Sequence, residues 1–164
     1  MMITTDFSDV ALRLCVALLI GAAIGTQRHV HGQAAGLRTH ALVALAAALA
    51  VLVAAPLSGD GSAGNLDAQS RVLQGILTGV GFIGAGMILH GGGDNQIRGL
   101  TSAAGIWIVA VFGSLCGRGR IDIALLGFAL VVLVLLVGAR IEDAAYARFA
   151  SKKDRASKSD DPGN

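Results

Sequence analysis

At 164 residues the chain is 54% hydrophobic and 15% charged, against about 45–50% and about 25% in a soluble domain, and its mean hydropathy is +0.67. A water-facing globule of this length cannot enclose so much apolar surface, which excludes an ordinary soluble domain. The formal net charge of +2 gives no ground for a nucleic-acid partner.

Residues 1–9 hold Asp6 and Asp9 but no lysine or arginine, so they do not suit a cleaved signal peptide and are read as retained. A first membrane span is predicted over residues 10–25, with Arg13 near enough to its end to snorkel toward the headgroups. Arg13, Ala17, Gly21 and Gly25 share one i, i+4 row, and Gly21-x-x-x-Gly25 is a small-residue motif that lets helix backbones approach closely. Residues 26–40 read as a polar connection and 41–57 as the second span. Gly, Ser and Asp dominate residues 58–70, which read as an aqueous loop.

Residues 72–89 carry no charge and at ~1.5 Å per residue cross a hydrocarbon core of ~30 Å with little tilt. Gln74, Thr78, Gly81 and Ala85 fall on one stripe of this third span, and Gly75, Gly79, Phe82 and Gly86 on the next. That small, weakly polar flank is expected to face other helices. After the connection 90–98, a fourth span over 100–116 carries the row Thr101, Gly105, Val109, Gly113 and Gly117; a tight turn at 117–120 leads to a fifth over 121–139. Cys15 and Cys116 lie within apolar runs without metal-spaced neighbours and read as small hydrophobes. The predicted fold class is all-α: a polytopic bundle of about five transmembrane helices. Residues 1–139 form the membrane domain, and 140–164 a cytoplasmic juxtamembrane helix with a disordered tail.

With five spans the termini lie on opposite sides. Arg28, Arg38, Arg98, Arg140, Arg148, Lys152, Lys153, Arg155 and Lys158 fall on one side, and Arg13, Arg71, Arg118 and Arg120 on the other. The positive-inside bias therefore places the C-terminus in the cytoplasm and the N-terminus outside.

No Asp, Glu, Lys or His lies in the middle of a span, where ion-coupled transporters place such groups. Nucleophile–base pairs, paired carboxylates and zinc-binding helices are also missing from the pattern, so neither an enzyme nor a cofactor is expected. Gly79-Val-Gly81-Phe-Ile-Gly84 spells G-x-G-x-x-G, yet it sits inside a spanning run without a preceding strand, and helix packing explains its glycines. His29, His31, His40 and His90 share one set of loops, with Asp94 the nearby carboxylate. His-x-His spacing can present two imidazoles to a metal, but polar loop histidines are the commoner case and no metal site is assigned. Arg28, Arg38, Thr39, His40, Arg98 and Thr101 form the other constellation, at the cytoplasmic span ends. Its arginines can hold a phosphate or lipid headgroup through charge-assisted hydrogen bonds, or can serve only as helix-end and orientation signals.

Gly36-Leu37-Arg38-Thr39-His40, the run from Gly79 to Gly86, and Arg98-Gly-Leu-Thr-Ser-Ala-Ala-Gly-Ile-Trp107 together resemble the MgtC/SapB family of bacterial inner-membrane proteins, over residues 12–117. The resemblance implies a five-helix inner-membrane domain and marks Arg28, Arg38, Thr39, His40, Arg98, Gly99 and Thr101 as functional positions. One departure is Gly25-Thr26-Gln27-Arg28, where the family often has Gly-x-Glu-Arg. Longer members add a cytoplasmic domain related to ACT folds, and this sequence is expected to lack one. The implied role is regulatory, in adaptation to low magnesium and in virulence, through membrane partners such as F-type ATP synthase. An oligomeric transporter or channel for Mg²⁺ or K⁺ is the alternative. Helix packing through Gly21, Gly25, Gly75, Gly79, Gly86, Gly105 and Gly113, including association between copies, is the structural expectation.

Overall fold

The computed structural model describes residues 6–30, 35–54, 63–89, 99–138 and 140. Its helices are α1 (Phe7–Val30), α2 (Leu37–Val53), α3 (Ala63–Leu89) and α4 (Leu100–Gly117), followed by α5 (Ile121–Gly138). All but α2 are long and apolar enough to cross a membrane; α2 is a shorter apolar helix. Among the described residues there is no strand, and the helices satisfy their own backbone hydrogen bonds, as a hydrocarbon environment requires.

Helix ends depart from the predicted spans. The connection expected over 26–40 is largely helical, because α1 runs on to Val30 and α2 starts at Leu37. Likewise α2 ends at Val53 rather than 57, and the loop expected over 58–70 is helical from Ala63. Hydropathy stops where apolar side chains stop, whereas a helix continues as long as its backbone ladder does. At the start of α3 an ion pair one turn apart, Arg71 Nε to Asp67 Oδ2 at 3.0 Å, supports that extension.

In the unit ending at Phe128, α2 and α4 lie at the centre, α1 packs on both, and α3 lies mainly against α4. Tight contact comes from missing side chains. A Cβ on Gly21 of α1 would lie 2.6 Å from the His40 carbonyl oxygen of α2, and one on Gly113 of α4 would strike the Ala44 carbonyl oxygen from the other side. Thus α2 is gripped between two glycine rows, and Ala44 and Ala48 are wholly buried. Further along the same seams, Gly25 meets the start of α2 and Gly117 meets Ala48.

Helix α4 stops at Arg118–Gly119, where Gly119 is left-handed (φ +76°) and the Gly119 and Arg120 amides donate to Cys116 and Leu115 at 2.9 Å each. This is a glycine C-terminal stop of the usual kind. The chain re-enters as α5, whose Gly127 admits the Phe112 ring. The unit from Ala129 contributes the remainder of α5, with Leu130, Leu133 and Val134 exposed. The expected tail over 141–164 lies outside the described residues.

The row Gly75, Gly79 and Gly86 differs from the glycine rows of α1 and α4. A Cβ added at any of them meets no heavy atom within 4 Å, so among the described residues no other helix approaches Gly75 or Gly79 closely. Gly84 is the α3 glycine that approaches α4: a Cβ there would lie 3.4 Å from Ala103 Cβ. Phe82, predicted on the same flank, is 84% exposed.

Candidate functional site

Arg28 lies near the C-terminal end of α1, and the N-termini of α2 and α4 come to the same end of the bundle. The Arg28 side chain is folded inward: the residue is 6% exposed, and its Nη2 donates to the Ser102 hydroxyl at 3.2 Å. Its Nε is buried without a hydrogen-bond partner. Arg13, Arg71 and Arg120 each pair with an aspartate, at 2.6, 3.0 and 3.2 Å. Among the described residues Arg28 has no such partner.

His40 stands beside it. The residue is fully buried, and its Nδ1 lies 2.9 Å from the Gly36 carbonyl oxygen. A carbonyl only accepts, so Nδ1 carries the hydrogen and a neutral ring leaves its lone pair on Nε2. Nε2 has no partner and points at Gly105, where a Cβ would lie 3.2 Å away. Arg28 and His40 interact electrostatically. One turn of α4 thus serves both groups, with Ser102 holding Arg28 and Gly105 leaving room for the imidazole.

Gly99 sets the entry to that turn. It is left-handed at φ +91°, and a Cβ there would lie 2.9 Å from the Met87 carbonyl oxygen of α3. It also serves as N-cap of α4, and Gly36 as N-cap of α2, neither with a side-chain cap. Two helix N-termini without a side-chain cap therefore face the end that holds a buried guanidinium. Their dipoles reinforce its positive potential.

Of the residues marked by the sequence, the structure brings together Arg28 and His40, with Gly99 and Gly105 shaping the space around them. Arg38, Thr39 and Thr101 are exposed and stand outside this buried cluster. Arg98, His31, His90 and Asp94 lie outside the described residues. Among the described residues no three His, Cys, Asp or Glu side chains gather as a metal site. Ser102 is not among the residues the sequence marks: the run Arg98-Gly-Leu-Thr-Ser contains it, but the motif points to the neighbouring Thr101. Helix rotation of about 100° per residue separates an outward Thr101 from an inward Ser102.

A family model for the MgtC family matches residues 14–144. Protein SrpB of Synechococcus elongatus is 40% identical over 149 residues, covering 87% of this chain and 82% of that protein. "Putative magnesium transporter YhiD" of Escherichia coli K12 is 40% identical over 135 residues, 79% of this chain and 60% of that protein. Protein MgtC of Salmonella typhimurium is 40% identical over 134 residues, 82% of this chain and 53% of that protein. The chain thus spans little more than half the length of the Salmonella and Escherichia relatives. No solved structure matches it. A matched segment covering most of the chain, four helices that can span a membrane and a fifth apolar one give the same answer: this is a membrane protein belonging to the MgtC family.

Proposed function

We propose that this chain is a regulatory protein of the bacterial inner membrane, without enzymatic activity, which reads an anionic condition at its cytoplasmic face and acts through membrane-protein partners. Adaptation to low magnesium or phosphate stress is the setting the family suggests, with virulence and contact with F-type ATP synthase as further consequences of membership. The orientation, C-terminus inside, rests on the arginine and lysine distribution.

The observation that carries this reading is the Arg28 guanidinium, buried with a neutral hydroxyl as its partner at the N-termini of two helices. A buried charge without an opposite charge costs several kcal/mol, and the positive ends of α2 and α4 add to rather than offset it. A phosphate oxygen there supplies the opposite charge that no described residue gives, and helix N-terminal amides are suited to donate to it. The chemistry of the end is therefore that of an oxyanion receptor.

Against transport stands the distribution of buried polarity. Among the described residues the buried polar side chains are Arg28, His40, Ser102 and Ser114. The first three gather at one end, and Ser114 donates to the Ala110 carbonyl of its own helix. Among the described residues these four do not line up as a polar path along the bundle. The transporter reading keeps one support, the magnesium-transporter name of the Escherichia relative.

Proteoliposome flux of Mg²⁺ and K⁺, measured beside phosphate-dependent thermal stability, separates the two. The regulatory reading expects no saturable flux and a phosphate-dependent stabilisation that Arg28→Met removes. Saturable Mg²⁺ or K⁺ flux that is lost in Arg28→Met would make the chain a transporter.

A further inference from the structure

At the opposite end from Arg28, α2, α3, α4 and α5 surround a cavity of about 370 Å³, a volume typical of small-ligand sites. Each helix gives it an apolar wall, through Val51, Leu73, Leu115 and Ile123, and its rim carries Gln69 and Arg118. The rim is polar but incompletely satisfied. Gln69 Oε1 is buried and accepts no hydrogen bond. Arg118 is exposed and, among the described residues, has no carboxylate partner, whereas its neighbour Arg120 is clamped to Asp122 by two bonds of 3.2 Å.

An occupant must match three features. It needs an apolar length for the walls, an anionic oxygen for Arg118 and a donor for Gln69. Phosphate alone fails the first test, and a plain hydrocarbon fails the other two. At the end of membrane-spanning helices the molecule with all three is an amphiphile at the headgroup level.

We propose that this cavity binds one anionic phospholipid, its phosphate on Arg118, a headgroup hydroxyl donating to Gln69 Oε1 and an acyl segment between α2, α3 and α4. Phosphatidylethanolamine also offers a phosphate and a donor, but its zwitterionic headgroup carries no net negative charge to set against Arg118, so an anionic headgroup is preferred. The site is separate from the Arg28 cluster and does not depend on the reading of that cluster.

The test is native mass spectrometry of the purified full chain released from bilayers of equal phosphatidylglycerol and phosphatidylethanolamine. One phosphatidylglycerol retained per chain, in preference to phosphatidylethanolamine, is the expected result. Arg118→Gln should lower that retention roughly five- to tenfold, the scale of one charge-assisted contact near a membrane surface. Gln69→Leu should lower it about threefold, the scale of one neutral hydrogen bond. Arg71→Gln, which removes a charge at the same end but outside the cavity, should leave it unchanged. Equal retention of the two lipids by the unaltered protein overturns the proposal without recourse to any variant. An equal fall in Arg71→Gln and Arg118→Gln overturns it too, as does release of the lipid by excess inorganic phosphate.

Discussion

Two kinds of glycine row run through this bundle, alike in sequence and opposite in surroundings. On α1 and α4, Gly21, Gly25, Gly113 and Gly117 meet the backbone of α2 so closely that no Cβ fits; on α3, Gly75 and Gly79 face open space. The first arrangement binds three helices into a unit through backbone contact rather than interlocking side chains. The second leaves a small-residue face on α3 that no other described helix approaches closely. Small-residue spacing therefore shows where close approach is possible, and only the fold shows where it happens.

The sharpest way to break this contrast is Gly113→Leu. Its Cβ would enter the Ala44 carbonyl oxygen, and backbone cannot step aside as a flexible side chain does. A loss of ~3 kcal/mol or more is expected, at the upper end of overpacking effects, read as a lower unfolding temperature in detergent. Stability close to that of the unaltered protein would mean that α2 and α4 are further apart than described here.

Next in size is the Arg28 effect. For the unaltered protein, phosphate at a hundredfold excess over its dissociation constant should add ~2.7 kcal/mol of stability. Arg28→Met should abolish that increment while keeping the bundle folded in phosphate-free buffer, since an apolar side chain of similar length removes a buried charge. A phosphate response that survives in Arg28→Met would sink the anion reading.

Gly99→Ala comes third. Its left-handed backbone costs an alanine ~1–2 kcal/mol, and the Cβ contact with Met87 adds to that. The expected result is a stability loss of about that size, larger than for an Ala placed at exposed Thr101 on the same turn. Equal losses would show that the entry to α4 is not strained.

How much of this the chain revealed beforehand follows the same division. Apolar runs locate the five helices of the described residues because hydrocarbon thickness sets a minimum length that hydropathy can measure. Their ends were not legible: Asp67 and Arg71 look like loop residues by polarity, yet they pair along a helix that continues past the apolar run. At the site, Arg28 and His40 were legible as polar groups at span ends. Ser102 was not, because choosing it over Thr101 requires knowing which face of α4 meets α1. Arg38 stands out by its motif, and its exposure depends on the same rotational information for α2.

The smallest expected effect is the most informative about the open row. Gly75→Ala and Gly79→Ala introduce methyl groups that meet nothing within 4 Å, and a helix interior favours alanine over glycine by ~0.5–1 kcal/mol. In detergent the double variant should therefore be unchanged or slightly more stable than the unaltered protein. In a bilayer the same substitutions test whether the row has a use that one chain does not contain. If another helix covers Gly75 and Gly79, added methyls separate the two backbones, and association measured by energy transfer between labelled copies falls for a second copy of this chain. If lipid covers them, neither stability nor association changes, and the resemblance between the rows of α3 and α4 is one of composition alone.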